Sequence, residues 1–504
     1  MSAGPFPLRL GLLTLLVFAL GIFQLDAPPL WWDEGWTLSV ARTWVERGVY
    51  ARQLLGEPVG TGLNASFWIT GPVAGMFRLF GVGIWQGRLF GVLCTVAAVA
   101  LLIVVARQLG TPRASWAVAV IAGLLTIHPQ LNALVLGRQV LGEMPMLAAL
   151  LAGCALLPAA IRGRIPAALL VCLAFALALA IKIQLAPFLL AGMLVALLIL
   201  VRARSKRSIG MILAIGMGTL LCRPLLAWIA EQMIGQRTVR DYSGDVSGLT
   251  ATMALVFTPE NRVFALTVLV LFAWPTVLAL TWALGRALRG RGMPAPLPER
   301  AVFWLLLTVA GTWATWFVTL SVGAPRYLFP AVFLATPLLA NLIGTLTDDF
   351  DLHTTFRRIA NLRVPQVAAP AWLALAIVVY SLPLTLVALR NEYLAVDRSA
   401  AAVAQLIART TPPDAVIETY ESEIHFLLDR SYHYPRDSVH VLLNRRSMLG
   451  ERPEIGYDSL VANPDYLIVG RFAGDNDLYT PAIARGEFVA VERVGRYTIY
   501  LRQR

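Results

Sequence analysis

Trp31-Trp32-Asp33-Glu34-Gly35-Trp36 sets two adjacent carboxylates among three tryptophans, directly after the apolar run Leu10–Leu25. Indole is apolar with one N–H to satisfy, so tryptophans gather at headgroup level where a chain leaves a membrane. Carboxylates at that level are costly unless they are paired or used. The helical run Thr37–Arg47 that follows allows a plainer reading, in which Asp33 caps the helix and Glu34 sits in its first turn. A cap also fixes a carboxylate in space, so the two readings are compatible.

Outward from this stretch, runs long enough to cross about 30 Å of hydrocarbon recur. They fall at Arg88–Ala106, Ala114–His128, Met144–Ala160, Pro166–Ile181, Ile183–Val201, Ile209–Ala230, Val263–Leu284, Ala301–Val322, Leu328–Leu346 and Ala371–Leu389. With Leu10–Leu25 they predict about eleven transmembrane helices. Leu10–Leu25 is read as a span, not a signal peptide, because no small-residue cleavage site follows it. Ser66–Phe80, broken by Gly71-Pro72 and carrying Arg78, suits an interfacial helix within a first external loop, 26–85.

The 504 residues are 58% hydrophobic and only 14% charged, with mean hydropathy +0.68, which excludes an ordinary soluble protein of this length. The net charge of +12 is spread over short loops between apolar runs, so it argues for membrane orientation and against nucleic acid. With Arg9 and the N-terminus cytoplasmic, Arg107, Arg113, Arg162, Arg164, Arg202, Arg204, Arg207, Arg286, Arg289, Arg291, Arg357 and Arg358 fall on the same side. The Asp33-Glu34 loop, the Arg138–Glu143 turn, Lys182, the loop Glu231–Arg262 and everything after Arg390 fall on the other. The four cysteines lie far apart inside apolar runs and suggest neither a zinc site nor disulfides.

Past residue 390 charge rises and strand-like runs appear at Ala415–Glu418, Tyr466–Val469, Phe488–Val491 and Tyr497–Leu501, with helical stretches at Val396–Arg409 and Glu421–Leu428. The expected architecture is a polytopic α-helical membrane domain, 1–389, followed by an extracytoplasmic α/β domain, 390–504.

Asp33 and Glu34 are the candidates for catalysis. Arg138 and Glu143, in the turn Gly137–Pro145, either pair at the interface or belong to a site. The only lysines are Lys182 and Lys206; Lys182 either snorkels or supplies a compact point charge on the side of Asp33. Arg326 in Gly323–Pro330, Arg88 at the start of the second span and Arg223 add cations, and together they outline an anionic-headgroup site facing a general base. His425, His433 and His440 lack metal-ligand spacing, and no cofactor is called for, although a divalent cation on one carboxylate stays open. Asn64-Ala65-Ser66 matches a glycosylation sequon, and no nucleotide-binding glycine loop is present.

The order of a first span, WWDEGW, an interfacial helix ending in Leu79-Phe80-Gly81, Arg88-Leu89-Phe90, Arg138 with Glu143-Met144-Pro145, Lys182 and Arg326-Tyr327 resembles the GT-C glycosyltransferases. The similarity is to the protein O-mannosyltransferases and the lipid A aminoarabinose transferase (glycosyltransferase family 39-like), over about Leu10 to Leu346. The resemblance implies an enzyme of the cell membrane that moves a hexose or pentose from a polyprenyl phosphate to a lipid, glycan or protein acceptor on the outer face, with inversion. It implies Asp33 as the catalytic carboxylate, with Glu34 beside it. Lys182, Arg326, Arg88 and Arg138 would hold the lipid phosphate, with Glu143 and Tyr327 in acceptor binding or orientation. Two departures stand out: Leu63-Asn64-Ala65-Ser66 where relatives often have Pro-Pro-Leu, and Glu143 where they often have Asp. A transporter or flippase of lipid-linked sugars is the competing class, but it predicts inverted repeats and midplane charges, whereas here the charges crowd one face. A non-catalytic family member would not need an intact Asp33-Glu34 pair.

Overall fold

The computed structural model describes residues 6–63, 66–235, 239–249, 254–360 and 365–503. Among these, seven helices are long and apolar enough to cross a membrane, and the chain is a polytopic helical membrane protein. Three other expected spans form shorter apolar helices, Phe6–Ile22, Pro112–Leu124 and Ile165–Ile181. The run expected as one span at Val263–Leu284 is instead two helices, Pro259–Phe272 and Trp274–Leu288, bent by 85°. Pro275 explains the break, since it has no N–H to continue the first helix and its fixed φ suits the start of the second.

Helix Phe329–Leu346 is buried along nearly its whole length at the centre of the bundle. Helix Lys206–Ile234 lies at the rim and exposes Leu213, Leu220, Leu221, Leu225 and Trp228, an apolar surface suited to lipid. Glycines let neighbouring helices close up. A Cβ on Gly153 would stand 2.3 Å from the Phe175 ring, and one on Gly192 would stand 3.0 Å from the Leu305 carbonyl.

The stretch expected to break at Gly71-Pro72 is one continuous helix, Phe67–Phe80. Pro72 deprives only the Trp68 carbonyl of its usual donor, and the buried face formed by Ile69, Val73, Ala74 and Phe77 holds the helix together. Asn64 and Ala65 of the sequon lie outside the described residues.

In the first loop a short hairpin, β1 (Arg52–Leu54) and β2 (Glu57–Val59), follows helix Trp32–Arg47. The C-terminal part holds β3 (Ile417–Thr419), β4 (Tyr432–His433), β5 (Tyr466–Val469), β6 (Phe488–Val494) and β7 (Tyr497–Arg502) in the order β4-β3-β5-β7-β6. β3 runs parallel to both its neighbours, whereas β7 is antiparallel to β5 and β6. Helices Ser399–Thr410 and Asp437–Leu449 accompany the sheet. Helix Pro365–Leu394 runs through residue 390 and leads into this part.

The tryptophans depart most from expectation. Trp32 and Trp36 do not form a headgroup belt; they are buried in a hydrophobic core that the first loop shares with the C-terminal part. Trp32 stacks on His440 at 5.1 Å between ring centroids, and Trp36 meets His425 at 4.5 Å and Tyr434 at 4.8 Å. Ser422 Oγ donates to the Trp32 carbonyl at 2.7 Å. Gly35 makes this approach possible, since a Cβ there would stand 2.4 Å from both the Ser422 carbonyl carbon and its Oγ. Gly35→Ala is therefore expected to loosen the C-terminal domain from the first loop, read as faster proteolysis near residue 395 with the helical bundle intact. An unchanged cleavage pattern would mean that the domain is held elsewhere.

Further pins join the same parts. Arg52 makes a bidentate pair with Asp437 at 2.8 and 2.9 Å while lying over the Trp36 ring. Tyr242, from the loop after helix Lys206–Ile234, bonds His433 Nε2 at 3.0 Å, and His433 Nδ1 meets Glu418 at 2.6 Å. Burial raises the Glu418 pKa and pushes the His425 imidazole down to about 3. These histidines serve the domain core.

Candidate active site

The loops that the sequence assigns to one membrane side meet at one end of the bundle. Helix Trp32–Arg47 presents its second and third residues, Asp33 and Glu34, to this end. Asp33 is not the N-cap. Trp31 holds that position, and it is Glu34 that reaches back to accept the Trp31 N–H at 3.0 Å.

The adjacent carboxylates have opposite surroundings. Glu34 is fully buried and receives Arg88 bidentately, Nε at 3.0 Å and Nη2 at 2.9 Å, and also the Val140 N–H at 2.9 Å. Arg88 Nη1 donates to the Leu25 and Pro28 carbonyls at 3.0 and 2.8 Å. The pair thus ties together the end of the first span, the helix start at Trp31, helix Ile84–Leu109 and the 137–142 turn. The Glu34 and Arg88 side chains are both fully enclosed.

The Asp33 side chain is 47% exposed, and its Oδ2 accepts Arg326 Nη1 at 2.8 Å. Arg326 Nε lies 3.6 Å from Glu143 Oε1, and the same oxygen binds Lys182 Nζ. Lys182, Glu143, Arg326 and Asp33 form one continuous line of alternating charge. Lys182 is fixed where helix Ile165–Ile181 ends, Glu143 where Glu143–Ile161 begins, and Arg326 in the turn Pro325–Leu328. Glu143 is almost fully buried between its two cations, whereas Lys182 and Arg326 keep about a fifth of their side-chain surface. Tyr327 is buried behind Arg326, its ring 5.7 Å from the guanidinium and its carbonyl accepting Trp313 Nε1 at 2.7 Å. It backs the site and does not open onto it.

Arg138 is also enclosed. One nitrogen donates to the Phe23 carbonyl, the guanidinium lies 4.1 Å from the Tyr393 ring centre, and burial lowers its pKa to about 10. Arg223 is exposed on helix Lys206–Ile234. Among the described residues no three His, Cys, Asp or Glu side chains gather into a metal-binding group.

The arrangement offers one accessible carboxylate beside two partly accessible cations, each able to trade a carboxylate contact for an incoming anion. A cavity of about 270 Å³ opens next to it, bounded by Trp31, Gln139, Arg326, Glu392, Phe472 and Arg496 among others. No pattern in the sequence marks Phe472 or Arg496, because each reaches this place only through the C-terminal fold.

The family model for dolichyl-phosphate-mannose-protein mannosyltransferase matches residues 66–228, a stretch that includes Arg88, Arg138, Glu143 and Lys182 but neither Asp33 nor Arg326. No protein of curated function matches the chain in sequence. Among solved structures, ArnT from Cupriavidus metallidurans in the apo state is 14% identical with a TM-score of 0.58, covering 98% of this chain and 97% of that one. The same protein bound to undecaprenyl phosphate gives 14% identity over the same shares and a TM-score of 0.56. The archaeal oligosaccharyltransferase AglB from Archaeoglobus fulgidus, in complex with an inhibitory peptide and a dolichol-phosphate, is 11% identical with a TM-score of 0.55, covering 98% of this chain and 74% of that one. These likenesses establish a shared fold.

Proposed function

We propose, for a chain with the GT-C fold of the protein O-mannosyltransferase and ArnT type, that it transfers a sugar from a polyprenyl phosphate to an acceptor hydroxyl at the extracytoplasmic membrane face. The observation that carries this reading is the half-exposed Asp33 carboxylate joined to Arg326, Glu143 and Lys182. Structures of the same fold contain undecaprenyl phosphate or dolichol-phosphate, which supports a lipid-phosphate donor here.

In this mechanism the acceptor oxygen attacks the anomeric carbon from the face opposite the phosphate, and the bond from that carbon to the phosphate oxygen breaks. Asp33 takes the hydroxyl proton as the new bond forms, and the configuration inverts. Arg326 and Lys182 receive the negative charge that grows on the leaving phosphate. Glu143 spaces the two cations, and Tyr327 backs Arg326. Glu34 and Arg88 act as positioning residues that fix the Asp33 helix, and Arg138 holds the neighbouring turn.

The test is incubation of the purified protein with a panel of radiolabelled polyprenyl-phosphate sugars and membrane extract. Release of the carrier phosphate with label appearing in acceptor supports transfer. Label moving across sealed vesicles without chemistry would point to a flippase. Lys182→Ala and Arg326→Ala should each raise the donor concentration needed for half-saturation by roughly tenfold or more without unfolding the protein. A variant with unchanged donor saturation would remove that residue from the clamp.

Orientation has its own check. The arginine asymmetry supports termini on opposite sides, so reporters fused after Arg207 and after Arg390 should report the cytoplasm and the outside respectively. Reporters on the same side would overturn the arrangement.

A further inference from the structure

The cavity beside Arg326 lies between the first loop, the helical bundle and the C-terminal part, and Lys182 does not line it. Trp31 and Phe472 form apolar walls, their rings edge to face at 6.2 Å. Gln130, Gln139 and Arg471 supply donors and acceptors, and Glu392 supplies a carboxylate. The Phe472 wall is built in. The buried Glu421 carboxylate accepts the N–H groups of Gly470, Phe472 and Ala473 at 3.1, 3.2 and 2.8 Å, fixing the turn that carries Arg471 and Phe472. Arg496 is held by Glu423 at 3.1 Å and by the Tyr497 hydroxyl.

Sugar hydroxyls both donate and accept, and the C–H faces of a sugar ring lie well against aromatic walls. A cavity mixing arginine, glutamine and glutamate beside a packed pair of aromatic rings matches that chemistry. An extended peptide binding by strand addition would need a free sheet edge, and the edge strands β4 and β6 contribute no residue to the cavity. The volume suits a single ring, with room for the equivalent of roughly nine waters.

Resting on the glycosyl-transfer reading, we infer that this cavity is an acceptor subsite for a sugar residue, so that the acceptor is a glycan and not a polypeptide. The donor phosphate then lies toward Lys182, and the acceptor ring enters from the C-terminal domain with its hydroxyl toward Asp33.

The experiment uses the full-length protein in nanodiscs and saturation-transfer NMR with methyl glycosides of common hexoses and pentoses, without donor. At least one glycoside should show saturable millimolar binding, weakened about tenfold in Phe472→Ala and in Arg471→Gln and recovered in Phe472→Trp. A serine- and threonine-rich peptide should not displace it. No saturable glycoside, or displacement by the peptide, would overturn the subsite. Glycoside binding that survives in Asp33→Asn supports it whatever the catalytic outcome, so its failure is distinguishable from failure of the transfer reading.

Discussion

Asp33→Asn is expected to abolish sugar transfer, by a factor on the order of 10² or more, while donor binding and thermal stability stay near those of the unchanged protein. The substitution keeps the oxygen that accepts Arg326 Nη1 at 2.8 Å, so the local geometry survives. What it removes is the ability to take a proton from the acceptor. Because Trp31 and not Asp33 caps the helix, no capping effect complicates the result. The measurements are the rate of label transfer at saturating donor and, separately, donor affinity. Transfer near the original rate in a folded Asp33→Asn protein would end the case for Asp33 as base. A loss of donor affinity equal to the loss of rate would instead place Asp33 in binding alone.

Arg88→Ala should fail in a different way. It strands a buried Glu34 carboxylate and leaves the Leu25 and Pro28 carbonyls without their donor. Breaking one side of a buried ion pair costs about 3–5 kcal/mol, enough to consume much of a domain's stability. The expected outcome is a protein that accumulates poorly or melts far below the parent in detergent. Arg88→Lys should rescue little, because a single ammonium cannot reproduce the planar fork that bridges Glu34 and the backbone of the preceding loop. A stable Arg88→Ala protein that had lost only donor affinity would return Arg88 to the phosphate site.

Much of the helical framework was legible without coordinates. The apolar runs foretold the helices because a span must satisfy its own backbone and face lipid, which is a local demand written in consecutive residues. The bend at Ala273 was also within reach, since Pro275 is visible in the sequence, but a continuous apolar run outweighed one proline in the reading. Strands β3, β5, β6 and β7 showed in their β-branched and aromatic runs, whereas β4, only Tyr432 and His433, was too short to carry a pattern.

The site divides along the same line. Asp33, Glu143, Lys182 and Arg326 stood out one by one, as charges at the ends of apolar runs where a charge needs a reason. Sequence could not say that they touch each other, or that Glu34 and Arg88 would be spent on each other. Consecutive helical residues point about 100° apart, so Asp33 and Glu34 face different neighbours, and those neighbours come from Ile84–Leu109 and Pro325–Leu328, far along the chain. The tryptophans make the same point. An amphipathic ring serves a headgroup belt and a domain interface equally well, and only the fold of residues 417–449 placed Tyr420, Tyr434 and His440 against Trp32 and Trp36. By itself the sequence determined that the chain is a polytopic helical membrane protein and which charges are out of place, because both follow from solvation of neighbouring residues. The tertiary structure decided which charge is buried and which stays accessible, because that depends on partners no local pattern encodes.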